Sequence, residues 1–376
     1  MDISVDQIVI GRGSKVFLIA EIGINHNGNV EKAMKMIDIA ADSGADAVKF
    51  QSFRVDKLMI PSQNHYAQKT GSKESVYQMM RRCELSWENQ EKLKKHADEK
   101  KILFLSTPFD EETVDFLDLL GLPVFKIASS DITHVPLLRH VAAKGKPIFL
   151  STGMSFLSEV GDALQVLRAS GAKEILLMHC VSAYPTPPRN MNLRSLETLQ
   201  SHFELPVGIS DHSEGILLPL IAVALGAVVI EKHFTLDKNN PGADHKCSMD
   251  PEDLRQLVRN LRDVEASLGD GRKRPSDIEE EGRLFRRRSI VAAVDIRAQE
   301  TIAPWMLSVK RPGSGLEPQY KERITGMVAR RNISKNTILQ WEDLTPPLST
   351  VSVDENSIGR EPGVSFSSTS LNKQHA

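Results

Sequence analysis

Eight times between Phe17 and Phe234, a short run of bulky apolar residues ends in side chains that can do chemistry. The endings are Glu21; Lys49 with Gln51; Thr107; Lys126 with Ser129; Ser151; His179 with Ser182; Ser210 with His212; and His233. Each run is short and followed by turn residues, which predicts strands over residues 16–22, 47–52, 102–107, 124–127, 147–151, 175–180, 207–210 and 228–233. Between them apolar residues recur at helical spacing. Helices are therefore predicted at 30–43, 87–100, 111–120, 135–143, 156–170, 193–203, 216–225 and 251–268. Small turns centred on glycine, such as Ser-Gly-Ala from Ser43, close several of these helices. Eight strand–helix units predict an α/β chain folded as a (β/α)8 TIM barrel over residues 1–268, with all eight strand ends delivered to one mouth. A doubly wound open sheet is the structural alternative.

The repeat lapses at residues 269–288, GDGRKRPSDIEEEGRLFRRR, a charged stretch that reads as a linker. Short β-type segments with close turn signals follow at 289–348 and predict a small β-rich module. Residues 349–376 are rich in Ser and poor in large apolar residues, the composition of a disordered tail.

Charge narrows the function classes. With 47 basic and 49 acidic residues the net charge is −2, so no global field favours nucleic acid or an anionic membrane. No apolar run approaches the ~18 residues that span a bilayer, and the N-terminal stretch lacks the order of a signal peptide, which predicts a cytoplasmic protein. Cys83, Cys180 and Cys247 are too few and too scattered for a disulfide framework or a CxxC metal site.

Candidate chemistry gathers at the strand ends. Residues two apart on a strand share a face, so Lys49 pairs with Gln51, Ser210 with His212, and Glu231 with His233. A single strand-end lysine is compatible with snorkelling to solvent. Two of them, Lys49 and Lys126, imply internal carboxylate partners or an anionic substrate. Thr107, Ser129, Ser151, Ser182 and Ser210 add hydroxyl donors that suit a phosphate and a carboxylate held together, as in phosphoenolpyruvate. His212 and His233 end neighbouring strands, where they are open to two readings: a divalent-ion site or hydrogen-bonded structural residues. Glu21 and Asp244 are candidate acid/base or orienting carboxylates. His26, His179 and His245 are read as structural, and Arg286 to Arg288 as a solvated linker face rather than a phosphate grip.

The strings AEIGINHNG (20–28), KFQ (49–51), STPFD (106–110), KIASSD (126–131), STGM (151–154), HCVSAYPTPP (179–188), GISDHSEG (208–215) and EKHFTLDKNNPGADH (231–245) together resemble the sialic acid synthase family. VKRPGSGL (309–316) and NISKNTILQWEDL (332–344) look like the antifreeze-like (SAF) domain that follows the barrel in that family. The resemblance covers about residues 5–348.

It implies an enzyme that condenses phosphoenolpyruvate with an N-acetylated hexosamine, N-acetylmannosamine in the type reaction, to give a nine-carbon 2-keto acid and phosphate. Carried over residue by residue, a divalent ion, Mn2+ or Mg2+, would lie on His212 and His233. Phosphoenolpyruvate would meet Lys49, Thr107, Lys126, Ser129, Ser151, Ser182 and Ser210. The sugar would meet Gln51, Asp131, Tyr184 and Asp244, and Glu21 would be an essential carboxylate. The resemblance also implies a domain-swapped homodimer in which Arg311 of one copy reaches the sugar of the other. Ser182 stands where some relatives carry Asn, and Asp131 where some carry Glu. Synthases of legionaminate, pseudaminate or spore-coat nonulosonates are the alternatives within the family. A non-catalytic carbohydrate-binding protein and a metal-dependent sugar isomerase or aldolase are alternatives outside it.

Overall fold

The computed structural model describes residues 2–61 and 74–347. The predicted tail lies outside the described residues. The chain divides into two compact units, Met1–Gly271 and Arg272–Ala376.

The first unit is a (β/α)8 barrel. A hairpin of β1 (Ile3–Val5) and β2 (Ile8–Ile10), absent from the predicted pattern, precedes it. The barrel strands are β3 (Phe17–Gly23), β4 (Ala47–Ser52), β5 (Leu103–Pro108), β6 (Phe125–Ile127), β7 (Ile148–Ser151), β8 (Ile175–Cys180), β9 (Val207–Asp211) and β10 (Val229–His233). All the ladders among them are parallel, in the order β5-β4-β3-β10-β9-β8-β7-β6, and β5 lies beside β6 across the remaining seam. The pairing of β10 with β3 joins the last strand to the first, and with β5 beside β6 the ring of strands closes, which excludes the open-sheet alternative.

The period of two sorts every strand into two faces. On β3, Leu18, Ala20 and Ile22 pack in the large core that includes the outer helices, while Phe17 and Ile19 fall in a second cluster inside the barrel. That inner cluster also takes Ala47, Leu105, Val124, Phe149, Leu176, Met178 and Val229, and Ile3, Val5 and Ile10 of the hairpin join it. It fills the lower barrel with apolar side chains. Further along, the same inward face turns polar on seven of the eight strands, at Glu21, Lys49, Thr107, Lys126, Ser151, Ser210 and Glu231, all buried, and carries Cys180 on β8. The apolar plug is thus the floor on which a polar layer stands.

Helices Val30–Ser43 and Pro251–Leu268 occupy the predicted bounds, and both carry the expected start signals: Asn29 caps the first, and Asp250 with Pro251 opens the second. Among the described residues between β4 and β5, two short helices that were not predicted, Val55–Leu58 and Val76–Cys83, precede the predicted one at Trp87–Glu99.

In the second unit, Ser289–Ala292 pairs antiparallel with Leu307–Lys310, and Val328–Ala329 with Leu344–Thr345. Ile290, Ile302, Leu307, Ile324, Ile333 and Leu339 belong to its own small core. The stretch read as a linker contains a helix, Asp277–Arg286. Its capping box from Ser276 to Glu279, with acidic residues in the first turn and arginines in the last, suits the helix dipole despite the absence of a buried face. Arg286, Arg287 and Arg288 are exposed.

Candidate active site

The polar layer borders a cavity of about 390 Å3 at the C-terminal ends of the strands. Lys49 extends from β4 to lie 2.7 Å from Glu21 Oε2 and 3.7 Å from Glu231 Oε1, and its ammonium donates to Thr107 Oγ1 at 3.1 Å. Lys126, from β6, donates to Ser151 Oγ at 2.7 Å and to Glu231 Oε1 at 3.4 Å. Ser210 donates to the same Glu231 oxygen at 3.0 Å, and Gln51 donates to Glu21 Oε1 at 3.1 Å. Two buried ammonium groups and two buried carboxylates therefore form one network in which formal charge cancels.

Burial and neighbours act differently on the four groups. Desolvation pushes the Glu21 carboxyl up, and the nearby Glu231 adds to it against the pull of Lys49. Burial works against charge on Lys49, yet Glu21 and Glu231 together hold its pKa above the usual ammonium value. For Lys126, which shares only Glu231 closely, burial wins and the pKa falls. Glu231 is penalised by burial, but Lys126 and Lys49 outweigh it and hold the carboxyl below its ordinary value.

A second group lies on the same wall. His212 and His233 have ring centroids 5.2 Å apart, and the Tyr184 ring sits 4.1 Å from that of His212. His212 Nδ1 lies 2.9 Å from Val181 O, so Nδ1 carries the proton and Nε2 keeps its lone pair. His233 Nδ1 is buried without a hydrogen-bond partner, 3.7 Å from Asp244 Oδ2. Burial raises the Asp244 carboxyl to about 6, with His212 opposing and Glu21 adding to the rise. Burial and the adjacent cations, led by His212, hold the His233 imidazole well below its ordinary range, in the neutral form that ligates metals.

These donors fit a divalent ion in one form only. Among the described residues no group of three or more His, Cys, Asp or Glu side chains is arranged as a metal cage. Two adjacent imidazoles, His233 held in the neutral form, with positions left over match an open, ligand-accepting site rather than a closed structural one. The unpartnered nitrogen of His233 is the observation that favours it.

Ser129, Ser151 and Ser182 also border the cavity, beside Gly153. The Gly153 N–H donates to Ser129 Oγ at 3.0 Å, and a Cβ built at Gly153 would stand 2.5 Å from Ser182 Oγ and 2.7 Å from Ser129 Oγ. Only glycine leaves the two hydroxyls and the amide together.

Twelve of the predicted site residues line the cavity: Glu21, Lys49, Gln51, Thr107, Lys126, Ser129, Ser151, Ser182, Tyr184, Ser210, His212 and His233. Asp244 is buried behind His233. Asp131 turns aside to Ser130 and His134. Arg311 is exposed in the second unit, directly after the strand Leu307–Lys310. His179 is committed to Met191 O at 2.7 Å, in keeping with a structural role.

Glu231 is the residue that sequence reasoning paired with His233 but did not place in the site. Its signal was present: two residues before a strand-end histidine, on the same inward face, between two lysines in need of counter-charge. Phe109, Met154 and Cys180 also border the cavity, and Cys180 Sγ lies 3.8 Å from His212 Nδ1.

The NeuB family model matches residues 36–273, well over half of the chain, and the SAF domain model matches residues 287–345. The chain belongs to the NeuB family. NeuB-family similarity extends over most of its length: an N,N'-diacetyllegionaminic acid synthase of Campylobacter jejuni is 44% identical over 331 residues, 87% of this chain and 99% of that protein. A second one, from Legionella pneumophila, is 44% identical over 342 residues, 89% of this chain and 96% of that protein. The crystal structure of the spore coat polysaccharide biosynthesis protein SpsE of Bacillus subtilis matches with a TM-score of 0.63 at 37% identity, over 92% of this chain and 99% of that one.

Proposed function

We propose that this NeuB-family chain condenses phosphoenolpyruvate with the open-chain aldehyde of an N-acetylated hexosamine and water, giving a nonulosonic acid and inorganic phosphate. The observation that carries the reading is one cavity lined by two lysines, a set of serine and threonine hydroxyls and a pair of imidazoles. An enol phosphate is a weak carbon nucleophile, so the site must both hold an anion and activate a carbonyl.

In the proposed reaction C3 of phosphoenolpyruvate bonds to the aldehyde carbon, and the aldehyde oxygen takes up a proton. Water adds to C2 and gives up one proton; the new C2 hydroxyl then gives up its second proton as C2=O forms and the bond between C2 and the phosphate ester oxygen breaks, and the phosphate leaves with that proton. Lys126 and Lys49, with Thr107, Ser129, Ser151, Ser182 and Ser210, would hold the donor and offset charge on the departing phosphate. Glu21, pushed up by burial, is suited to accept and return a proton beside Lys49. Gln51, Tyr184 and Asp244 would orient the sugar, with Asp131 further out. A divalent ion, Mn2+ or Mg2+, on His212 and His233 would supply positive charge for a trianionic donor and Lewis acidity toward the aldehyde oxygen.

Two relatives named as diacetyllegionaminic acid synthases support a diacetylated hexosamine as acceptor ahead of N-acetylmannosamine. In the proposed assembly two copies pair, and Arg311 from the second copy completes the sugar site. The test is phosphate release from phosphoenolpyruvate with each acceptor in turn. Release with the diacetylated sugar at a kcat/KM well above that for N-acetylmannosamine is expected; release with none of the N-acetylated hexosamines would refute the proposal.

A further inference from the structure

Behind the imidazole pair, on the outward face of the barrel, β9 and β10 break their own pattern. Their outward positions are apolar up to that point: Val207 and Ile209 on β9, Ile230 on β10. The next outward positions are Asp211 and Lys232, register partners on the two strands and both fully buried. Lys232 Nζ donates to Asp211 Oδ2 at 2.6 Å and to Ser213 O at 2.6 Å. Asp211 in turn accepts from Ser213 N at 2.9 Å and from Ser213 Oγ at 2.9 Å.

A buried ion pair is seldom the most stable filling of an apolar layer, since removing both charges from water costs what their attraction returns. A geometric use is the better account of this one. The hydrogen-bonded ladder between β9 and β10 ends at Lys232 and Asp211. His212 and His233 come next, beyond the last rung of this ladder, with His233 still paired to Glu21 of β3 on its other side. His212 lies between Asp211 and Ser213, and Ser213 is captured at its N–H, its C=O and its hydroxyl; His233 directly follows Lys232.

We infer that Lys232, Asp211 and Ser213 form a positioning strut that fixes the separation of the His212 and His233 rings. The inference rests on reading those rings as the divalent-ion site. The strut touches no substrate. It does from outside the barrel what the ladder does further down, and so sets the affinity of the imidazole pair for the ion.

The experiment measures Mn2+ binding alone, by calorimetry, to the full chain without substrates. Lys232→Met combined with Asp211→Leu replaces the pair by apolar side chains of similar size. It is expected to melt at or above the wild-type temperature and yet to bind Mn2+ about 10- to 100-fold more weakly, as loss of a group that orients a ligand does. Ser213→Ala removes one hydroxyl, preserves the ion pair and is expected to fall between the two; it carries the test if the double variant does not fold. Leu117→Ala, a core truncation on another helix, should lower the melting temperature with Mn2+ affinity unchanged. Wild-type Mn2+ affinity in either strut variant overturns the inference while the metal reading stands. No Mn2+ binding by the wild-type chain would instead overturn the metal reading, and the strut with it.

Discussion

Glu231→Gln is the perturbation that tests the charge network most directly. Glu231 Oε1 is 3.4 Å from Lys126 and 3.7 Å from Lys49, but Lys49 keeps Glu21 at 2.7 Å whereas Lys126 has no second carboxylate that close. At an effective dielectric of ~20, a unit charge at the Lys126 distance contributes roughly 5 kcal/mol of attraction, an upper limit on what the substitution removes. Desolvation already holds Lys126 below the ordinary ammonium value, and the missing counter-charge lowers it further. Three outcomes are expected. Stability falls by about 3–5 kcal/mol, because one buried ammonium loses its partner. Turnover acquires a new alkaline limb, since Lys126 sheds its proton at a lower pH than in the wild type and no longer offsets the charge of the leaving phosphate. Phosphoenolpyruvate itself binds no more weakly at acidic pH, where the cluster carries a net positive charge. The assays are chemical denaturation and a pH profile of phosphate release. A wild-type profile on the alkaline side, in a variant that is also as stable as the wild type, would refute the assignment of Glu231 as the counter-charge of Lys126.

The other predictions concern single groups. Asp244 has a folded pKa of about 6 against 3.8 unfolded, so the folded chain binds the extra proton. Stability from this group is full below pH 4 and lost as pH rises to 6; Asp244→Asn should be more stable than the metal-free wild type at pH 7.5 by up to roughly 3 kcal/mol, a difference that vanishes near pH 4 in denaturant titrations. His26 behaves in the opposite sense: burial lowers its pKa from 6.5 to about 4, so stability present above pH 6.5 is lost as pH falls toward 4. His26→Gln should flatten the stability profile between those limits by roughly 3 kcal/mol, and an unchanged acid slope would count against the burial argument. Mixing a Lys49→Met chain with an Arg311→Ala chain should restore part of the phosphate release lost by each alone; no recovery after proven subunit exchange would argue against a shared site.

The barrel was legible because its signal is one-dimensional. Strand period, helix period and glycine stops all lie within a few residues of one another, and eight repeats leave little freedom once neighbouring strands must be parallel. Eleven of the twelve predicted residues that line the cavity were legible for the same reason, since each stands at the end of an apolar run and the fold brings those ends together, whereas Tyr184 was named by the family resemblance alone. What escaped depended on partners distant in the chain. Glu231 is inward for the same reason as His233, yet its place in the site follows from Lys126, 105 residues earlier. The hairpin of β1 and β2 alternates too briefly to read as strands, and it is held by the apolar floor it covers. Asp131 is a different case, a predicted site residue that does not line the cavity. Its motif neighbour Ser129 lines the cavity, but the chain turns into a 3-10 helix there, and two residues no longer means the same face. The strand rule of alternation therefore identifies site residues as far as the last extended residue and loses its force one turn beyond it. The Lys232 and Asp211 pair marks that limit physically: it is the last rung of the β9–β10 ladder, beyond which His212 leaves the sheet while His233 keeps its pairing with Glu21 of β3.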